Sequence, residues 1–207
     1  DLLDQGYQVH ACVRDASNSK KVNHLIELGK KSSESDVNLF EGDLFEKGSY
    51  NDAFSGCVAV IHAGATVGFN RETPQEVYDG CFTENEHVIE SVKKSGSVKR
   101  FVFTSSFAAV AHPRPEGYVF DEKDWCGDNV EAYKGAWTED NISKNRDIAY
   151  AMAKANTEKM IYKIAESEQS FEAISINPLH VIGPLMTENH NQFFSRQFSI
   201  WQLLQEN

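Results

Sequence analysis

The chain has 207 residues, 41% of them hydrophobic and 25% charged, which fits one ordinary globular domain with a sizeable core. Its formal net charge of −11 argues against nucleic acid or an anionic membrane surface as a partner held by the general field. No apolar run approaches the roughly 20 residues that span a bilayer, and the four cysteines (Cys12, Cys57, Cys81, Cys126) are scattered without a C-x-x-C, as expected of reduced thiols in a cytoplasmic protein.

In chain order, Leu2 and Leu3 read as the tail of a helix stopped by Gly6, and Tyr7–Val13 as a strand. Residues 18–28 read as a helix and Val37–Phe40 as a short strand leading into Glu41–Leu44. Residues 49–54 read as a short helix. Val58–Ala63 (VAVIHA) is a nearly continuous apolar run, which predicts a strand buried on both faces. Pro74–Lys94 reads as a long helix, Arg100–Thr104 (RFVFT) as another buried strand, Asp147–Glu168 as a helix and Phe171–Asn177 as a strand. Residues 111–146 have no clear period, and a connection of that length tends to be functional or to carry small elements of its own. After Pro178 a loop precedes a helical stretch at 192–205. Strands alternating with helices predict a parallel sheet covered on both faces.

Tyr150 and Lys154 stand four residues apart in DIAYAMAK, on one face of the predicted helix. A phenol titrates near pH 10, and a neighbouring ammonium favours phenolate, so the pair is suited to proton transfer. Of the seven tyrosines only Tyr150 has a lysine at this spacing. Ser105 and Ser106 follow a strand, where open α/β folds bind ligands. A hydroxyl there could donate to a carbonyl oxygen; capping of the turn is the commoner use. Arg14 ends the first visible strand, with Lys20 and Lys21 opening the next helix. They read equally as a 2′-phosphate site of NADP or as a solvated basic cluster, and the neighbouring Asp15 could face the same ribose. Asp43–Leu44 suits an adenine, with the carboxylate on its amino group and Leu44 on its ring, or an ordinary turn. Ala63–Gly64–Ala65 would let backbone approach a ligand closely, or form a tight turn. The acidic Asp121, Glu122 and Asp124 read as a solvated loop. The sequence has no H-E-x-x-H and no G-x-S-x-G, and no metal site is expected.

Arg14–Asp15, SKKVNHL at 19–25, GDL at 42–44, VFTSS at 102–106, FDEKDW at 120–125, Tyr150-x-x-x-Lys154 and NPLHVIGP at 177–184 occur in one order. Together they resemble the extended short-chain dehydrogenase/reductases, nearest the dihydroflavonol reductase, cinnamoyl-CoA reductase and aldehyde/ketone reductase group. The resemblance implies a doubly wound Rossmann sheet and NADP(H)-dependent reduction of an aldehyde or ketone. It implies Tyr150 as general acid, Lys154 as the group that lowers the tyrosine pKa and holds the nicotinamide ribose, and Ser106 rather than Ser105 as the group that orients the carbonyl. Arg14 and Lys21 would hold the 2′-phosphate, Asp43 and Leu44 the adenine, Ala63, Gly64 and Ala65 the strand-end side of the cofactor, and Pro178 and Val181 its nicotinamide end. The substrate is a small molecule. The helices at 74–94 and 147–168 are those that form a four-helix homodimer interface in the family.

The first strand and Gly-rich loop of that family should precede Asp1, which is not an initiator Met. The expectation is therefore an N-terminally truncated, incomplete Rossmann domain over 1–207, with the start of a C-terminal substrate-binding part after 178. In the strand order 3-2-1-4-5-6 the missing strand is central, so Tyr7–Val13 and Val58–Ala63 should share no neighbour and a gap should open between them. These residues alone would then bind NADPH poorly and unfold easily. The Asn-Trp-Tyr-Cys-Tyr stretch of cinnamoyl-CoA reductases is absent, and the segment from Ser106 to Tyr150 is longer than in the plant enzymes, which argues against flavonoid or cinnamoyl-CoA substrates. Related branches remain alternatives (a 3β-hydroxysteroid dehydrogenase-like oxidation or a nucleotide-sugar epimerase), as does a non-catalytic nucleotide-binding protein.

Overall fold

A computed structural model describes residues 1–31, 35–64, 73–111, 114–128, 139–179 and 181. Two compact units emerge, Asp1–Asp43 with His180–Asn207, and Leu44–Leu179. Ala65 and the predicted helix at 192–205 lie outside the described residues.

In the first unit, a single 3-10 turn at Leu3–Gln5 ends at Gly6, whose φ of +80° and N–H to the Leu3 carbonyl close it as the sequence predicts. Nothing stands within 4 Å of a Cβ placed there, so the left-handed backbone, not lack of space, calls for glycine. Strand β1 (Val9–Val13) begins later than Tyr7, which is 53% exposed. Helix α1 (Ser19–Lys31) runs three residues past the expected end, its last turn carrying Lys30 and Lys31 where cations complement the helix dipole. Strand β2 (Val37–Glu41) pairs with β1 in parallel, Val9 opposite Val37 and Val13 opposite Glu41. A Cβ on Gly29 would lie 3.1 Å from the Val37 backbone nitrogen, so α1 packs closely over the start of β2.

The second unit contains α2 (Asn51–Phe54), β3 (Ala59–His62), α3 (Pro74–Ser95), β4 (Arg100–Thr104), α4 (Arg146–Glu168) and β5 (Glu172–Ile176). Its sheet is wholly parallel in the order β3-β4-β5. Helix α3 starts with a complete capping box between Thr73 and Glu76, has Pro74 in its first turn, and stops at left-handed Gly96. Helix α4 is capped by Asn145, whose side chain accepts from the N–H groups of Asp147 and Ile148. Between β4 and α4, a 3-10 turn at Phe107–Ala109 precedes the aperiodic stretch, which itself forms another at Glu139–Lys144. It packs on α4 through a cluster that includes Ala109, Cys126, Ile142, Ala149 and Met152.

Each sheet keeps the strand order expected of its part of a doubly wound fold, with β1 at an edge of the first and β3 at an edge of the second. The expectation of burial on both faces is corrected. On one face Phe101 and Phe103 are fully buried beside Val60 and His62. On the other, Ile61 is 57% exposed and Ile176 53%. The cause is that α4 meets the Phe103 face, with Lys154 Nζ 4.9 Å from that ring, and α3 packs against α4. Among the described residues of this unit, no helix covers Ile61.

Candidate active site

Alternating β and α elements place the ends of β3, β4 and β5 at one edge of the second unit's sheet, since all three strands run the same way. Strand β4 delivers Thr104 and then Ser105–Ser106. Helix α4 returns across this edge enclosed on several sides, with small residues around its first turns: Ala149, Ala151, Ala153 and Ala155 are all at 0% exposure. Such a helix can be approached closely from several sides, and Lys154 is consequently enclosed at 1% exposure.

Lys154 Nζ donates to the Thr104 carbonyl at 3.2 Å, a bond between residues 50 apart in sequence. The ammonium also sits 4.9 Å from the centroid of Phe103 and 5.9 Å from that of Tyr150. Burial pushes the Lys154 ammonium below its ordinary range; Cys81, Glu158 and Glu84 oppose that shift. A buried cation supported in this way is held at one place, bonded to the end of the strand that carries the serines.

The two serines differ. Ser105 is 5% exposed, and its N–H donates to the Ile176 carbonyl at 2.8 Å. Ser106 is half-buried and caps the 3-10 turn, its Oγ accepting from Ala108 N–H at 3.2 Å. Ser106 thus has the more accessible hydroxyl, with its oxygen engaged by one donor and its proton available to another acceptor. The Pro178 carbonyl accepts from Phe107 N–H at 3.0 Å, so Pro178 supports this turn through its backbone.

At the end of β3, Ala63 and Gly64 are exposed, and a Cβ on Gly64 would make ordinary contact with Leu44 at 3.6 Å. Leu44 is fixed by its carbonyl, which lies 2.9 Å from His87 Nδ1. A carbonyl only accepts, so His87 carries its proton on that nitrogen. His62 precedes this segment, stacked near Phe101 and Phe103. Burial, first, and the Lys154 charge, second, push its imidazole down to about 4, so it is neutral at pH 7.

Arg14, Lys21, Asp43 and Val181 belong to the first unit. Arg14 is exposed just past β1, Lys21 is exposed in the first turn of α1, Asp43 lies two residues past β2, and Val181 is 70% exposed. Asp15 is occupied by its own turn: Oδ1 accepts from Ser17 N–H at 2.9 Å and Ser17 Oγ at 2.6 Å. Those bonds lower its carboxyl from the ordinary value.

The solvated reading of the acidic loop is corrected at Asp124. That residue is 9% exposed, accepts from Tyr118 Oη at 2.5 Å and Asp121 N–H at 2.9 Å, and lies 3.5 Å from the Arg114 guanidinium. Burial by itself would raise its carboxyl; the bonds from Tyr118 and Asp121, with the Arg114 charge, outweigh it and hold the carboxyl low. The sequence reading also passed over Glu158, which the one available signal, a carboxylate on the Tyr150–Lys154 face one turn on, would have flagged.

Parallel β-α units with polar side chains gathered where the strands end define a Rossmann-type α/β protein. The sequence model described as the NAD dependent epimerase/dehydratase family matches residues 1–203, and the chain belongs to that family. It is 35% identical over 187 residues to dihydroflavonol 4-reductase of Arabidopsis thaliana, covering 90% of this chain and 46% of that protein. It is 34% identical over 190 residues to cinnamoyl-CoA reductase CAD2 of Medicago truncatula, covering 89% and 53%. The chain thus spans about half the length of these curated relatives. Among solved structures, the yeast methylglyoxal/isovaleraldehyde reductase Gre2 complexed with NADPH superposes with a TM-score of 0.75 at 20% identity, over 99% of this chain and 60% of that one. Vestitone reductase from alfalfa (Medicago sativa) gives 0.66 at 22% identity, over 90% and 53%. Both share the fold.

Proposed function

We propose that this chain carries the catalytic centre of an NADP(H)-dependent reductase that converts an aldehyde or ketone to an alcohol. The observation that carries the reading is the Lys154–Thr104 bond. It ties the helix bearing Tyr150 to the strand end bearing Ser106, so a phenol, a buried ammonium and a hydroxyl belong to one rigid constellation. In this reading NADPH supplies a hydride to the carbonyl carbon when bound. Tyr150 gives its proton to the carbonyl oxygen, Ser106 donates a hydrogen bond to that oxygen, and the Lys154 charge favours the phenolate left behind. Leu44, Ala63 and Gly64 would line the cofactor's path in the second unit, joined by Pro178. Arg14, Lys21, Asp43 and Val181 would contribute from the first. Residues beyond 178 would begin the substrate-binding part. The unbridged cysteines agree with a cytoplasmic setting.

The test is Tyr150→Phe in the full chain, with a carbonyl panel followed by NADPH absorbance. The expected result is loss of carbonyl reduction by at least roughly 100-fold with NADPH binding nearly intact. Retained reduction would show that the proton takes another route. Turnover of a sugar nucleotide with NAD in place of carbonyl reduction would place the chain in the epimerase branch.

A further inference from the structure

Glu158 lies one turn beyond Lys154 on α4, is 3% exposed, and has both carboxylate oxygens engaged. Oε1 accepts from Asn177 Nδ2 at 2.7 Å, and Oε2 accepts from Trp125 Nε1 at 3.3 Å. The same Asn177 nitrogen donates to the Ser106 carbonyl at 3.1 Å. The carboxylate therefore sits at a junction between the helix of Tyr150 and Lys154, the residue after β5, and the loop from β4 that carries Ser106. Trp125 extends the junction to the connection preceding α4, and the adjacent Lys159 pins that connection again through Asp128 at 2.6 Å.

A carboxylate costs several kcal/mol to bury, and replacing it by an apolar residue of similar size is often neutral or stabilising. Two surrounding donors and the Lys154 ammonium offset that cost here, and only an acceptor-only group can serve both donors at once. A glutamine at the site would meet one donor with its oxygen and turn its own N–H toward the other.

We infer that Glu158 is a positioning residue: through Asn177 it sets the Ser106 turn against the helix of Tyr150 and Lys154. This rests on the reductase reading above. Displacing one reacting group by about 1 Å costs on the order of 100-fold in rate. The role is therefore read in turnover and local order, more than in cofactor affinity.

Two variants of the full chain separate the parts of the claim. Asn177→Ala cuts the link to Ser106 and leaves the charge; Glu158→Gln removes the charge and spoils the link. Hydrogen exchange of the 104–110 amides, measured with NADPH alone, needs no substrate. Exchange there is expected to rise at least roughly 10-fold in both variants while the strands β3 and β5 stay protected. With NADPH and isovaleraldehyde as probes, kcat is expected to fall about 10- to 100-fold in both, with KM for NADPH within about threefold. The alkaline limb of the kcat profile moves to lower pH only in Glu158→Gln, because Lys154 then loses an opposing charge. Wild-type exchange at 104–110 in the folded variants overturns the inference, as does exchange rising evenly over the whole unit. If Glu158→Gln fails to fold, Asn177→Ala decides by the same exchange measurement. No carbonyl reduction by the wild type would instead overturn the reductase reading, leaving the exchange result to stand on its own.

Discussion

His62 offers a stability measurement that reports directly on the interior beneath the site. Its ring is 7% exposed, lies about parallel to two buried phenylalanines, and titrates near 4 in the folded chain against an ordinary 6.5. The folded state thus resists the proton that the unfolded state takes up. Stability from this group is fully present above pH 6.5, is lost as pH falls from 6.5 toward 4, and changes no further below that, where both states are protonated. The full span corresponds to about 3 kcal/mol, and the step from pH 7 to pH 5 alone to about 2 kcal/mol. Other carboxyls titrate over the same range, so the comparison is between wild type and His62→Gln, by urea denaturation at pH 7, 6, 5 and 4.5. The variant should lose about 2 kcal/mol less than wild type between pH 7 and 5. The Lys154 charge is the second cause of the shift, so Lys154→Met should bring the His62 midpoint part of the way back up. Parallel pH profiles for wild type and His62→Gln would refute the reasoning, since they would mean that the imidazole is hydrated or paired in the folded chain.

Two further outcomes are expected. Arg14→Ala should cut affinity for NADPH by roughly 10-fold or more and leave affinity for NADH about unchanged, measured by calorimetry, because in the proposed reading Arg14 holds the 2′-phosphate that NADH lacks. Asp124→Ala should cost about 3 kcal/mol in thermal or urea unfolding, because Arg114, with a side chain only 3% exposed, loses the carboxylate facing it. Asp124 itself has a depressed carboxyl, so the stability it adds is present above its unfolded value and lost as pH falls through the folded one.

Much of the fold was legible because its signals are local. The left-handed stop at Gly6, the start of α3 at Pro74 and the apolar strand runs each depend on residues a few positions apart. The sequence placed β4 with the bounds observed, and its start for β1 was early only because Tyr7 is β-favouring but unpaired in the ladder. The Val58–Ala63 run was misread as buried on both faces, since hydrophobicity states what a strand tolerates, not which neighbours arrive to cover it.

The sequence by itself determined the alternation of strands and helices, the presence of a serine pair at a strand end, and a tyrosine and lysine one turn apart. Those follow from periodicity and spacing, which act within a turn or a strand. Tertiary structure alone decided that Lys154 bonds to Thr104, that Ser106 rather than Ser105 has the more open hydroxyl, that Asp124 is an inward carboxylate, and that Glu158 gathers Asn177 and Trp125. Each is a choice of partner made when separate elements pack, and desolvation then sets what each charge does; neither is written in the residue's own neighbourhood.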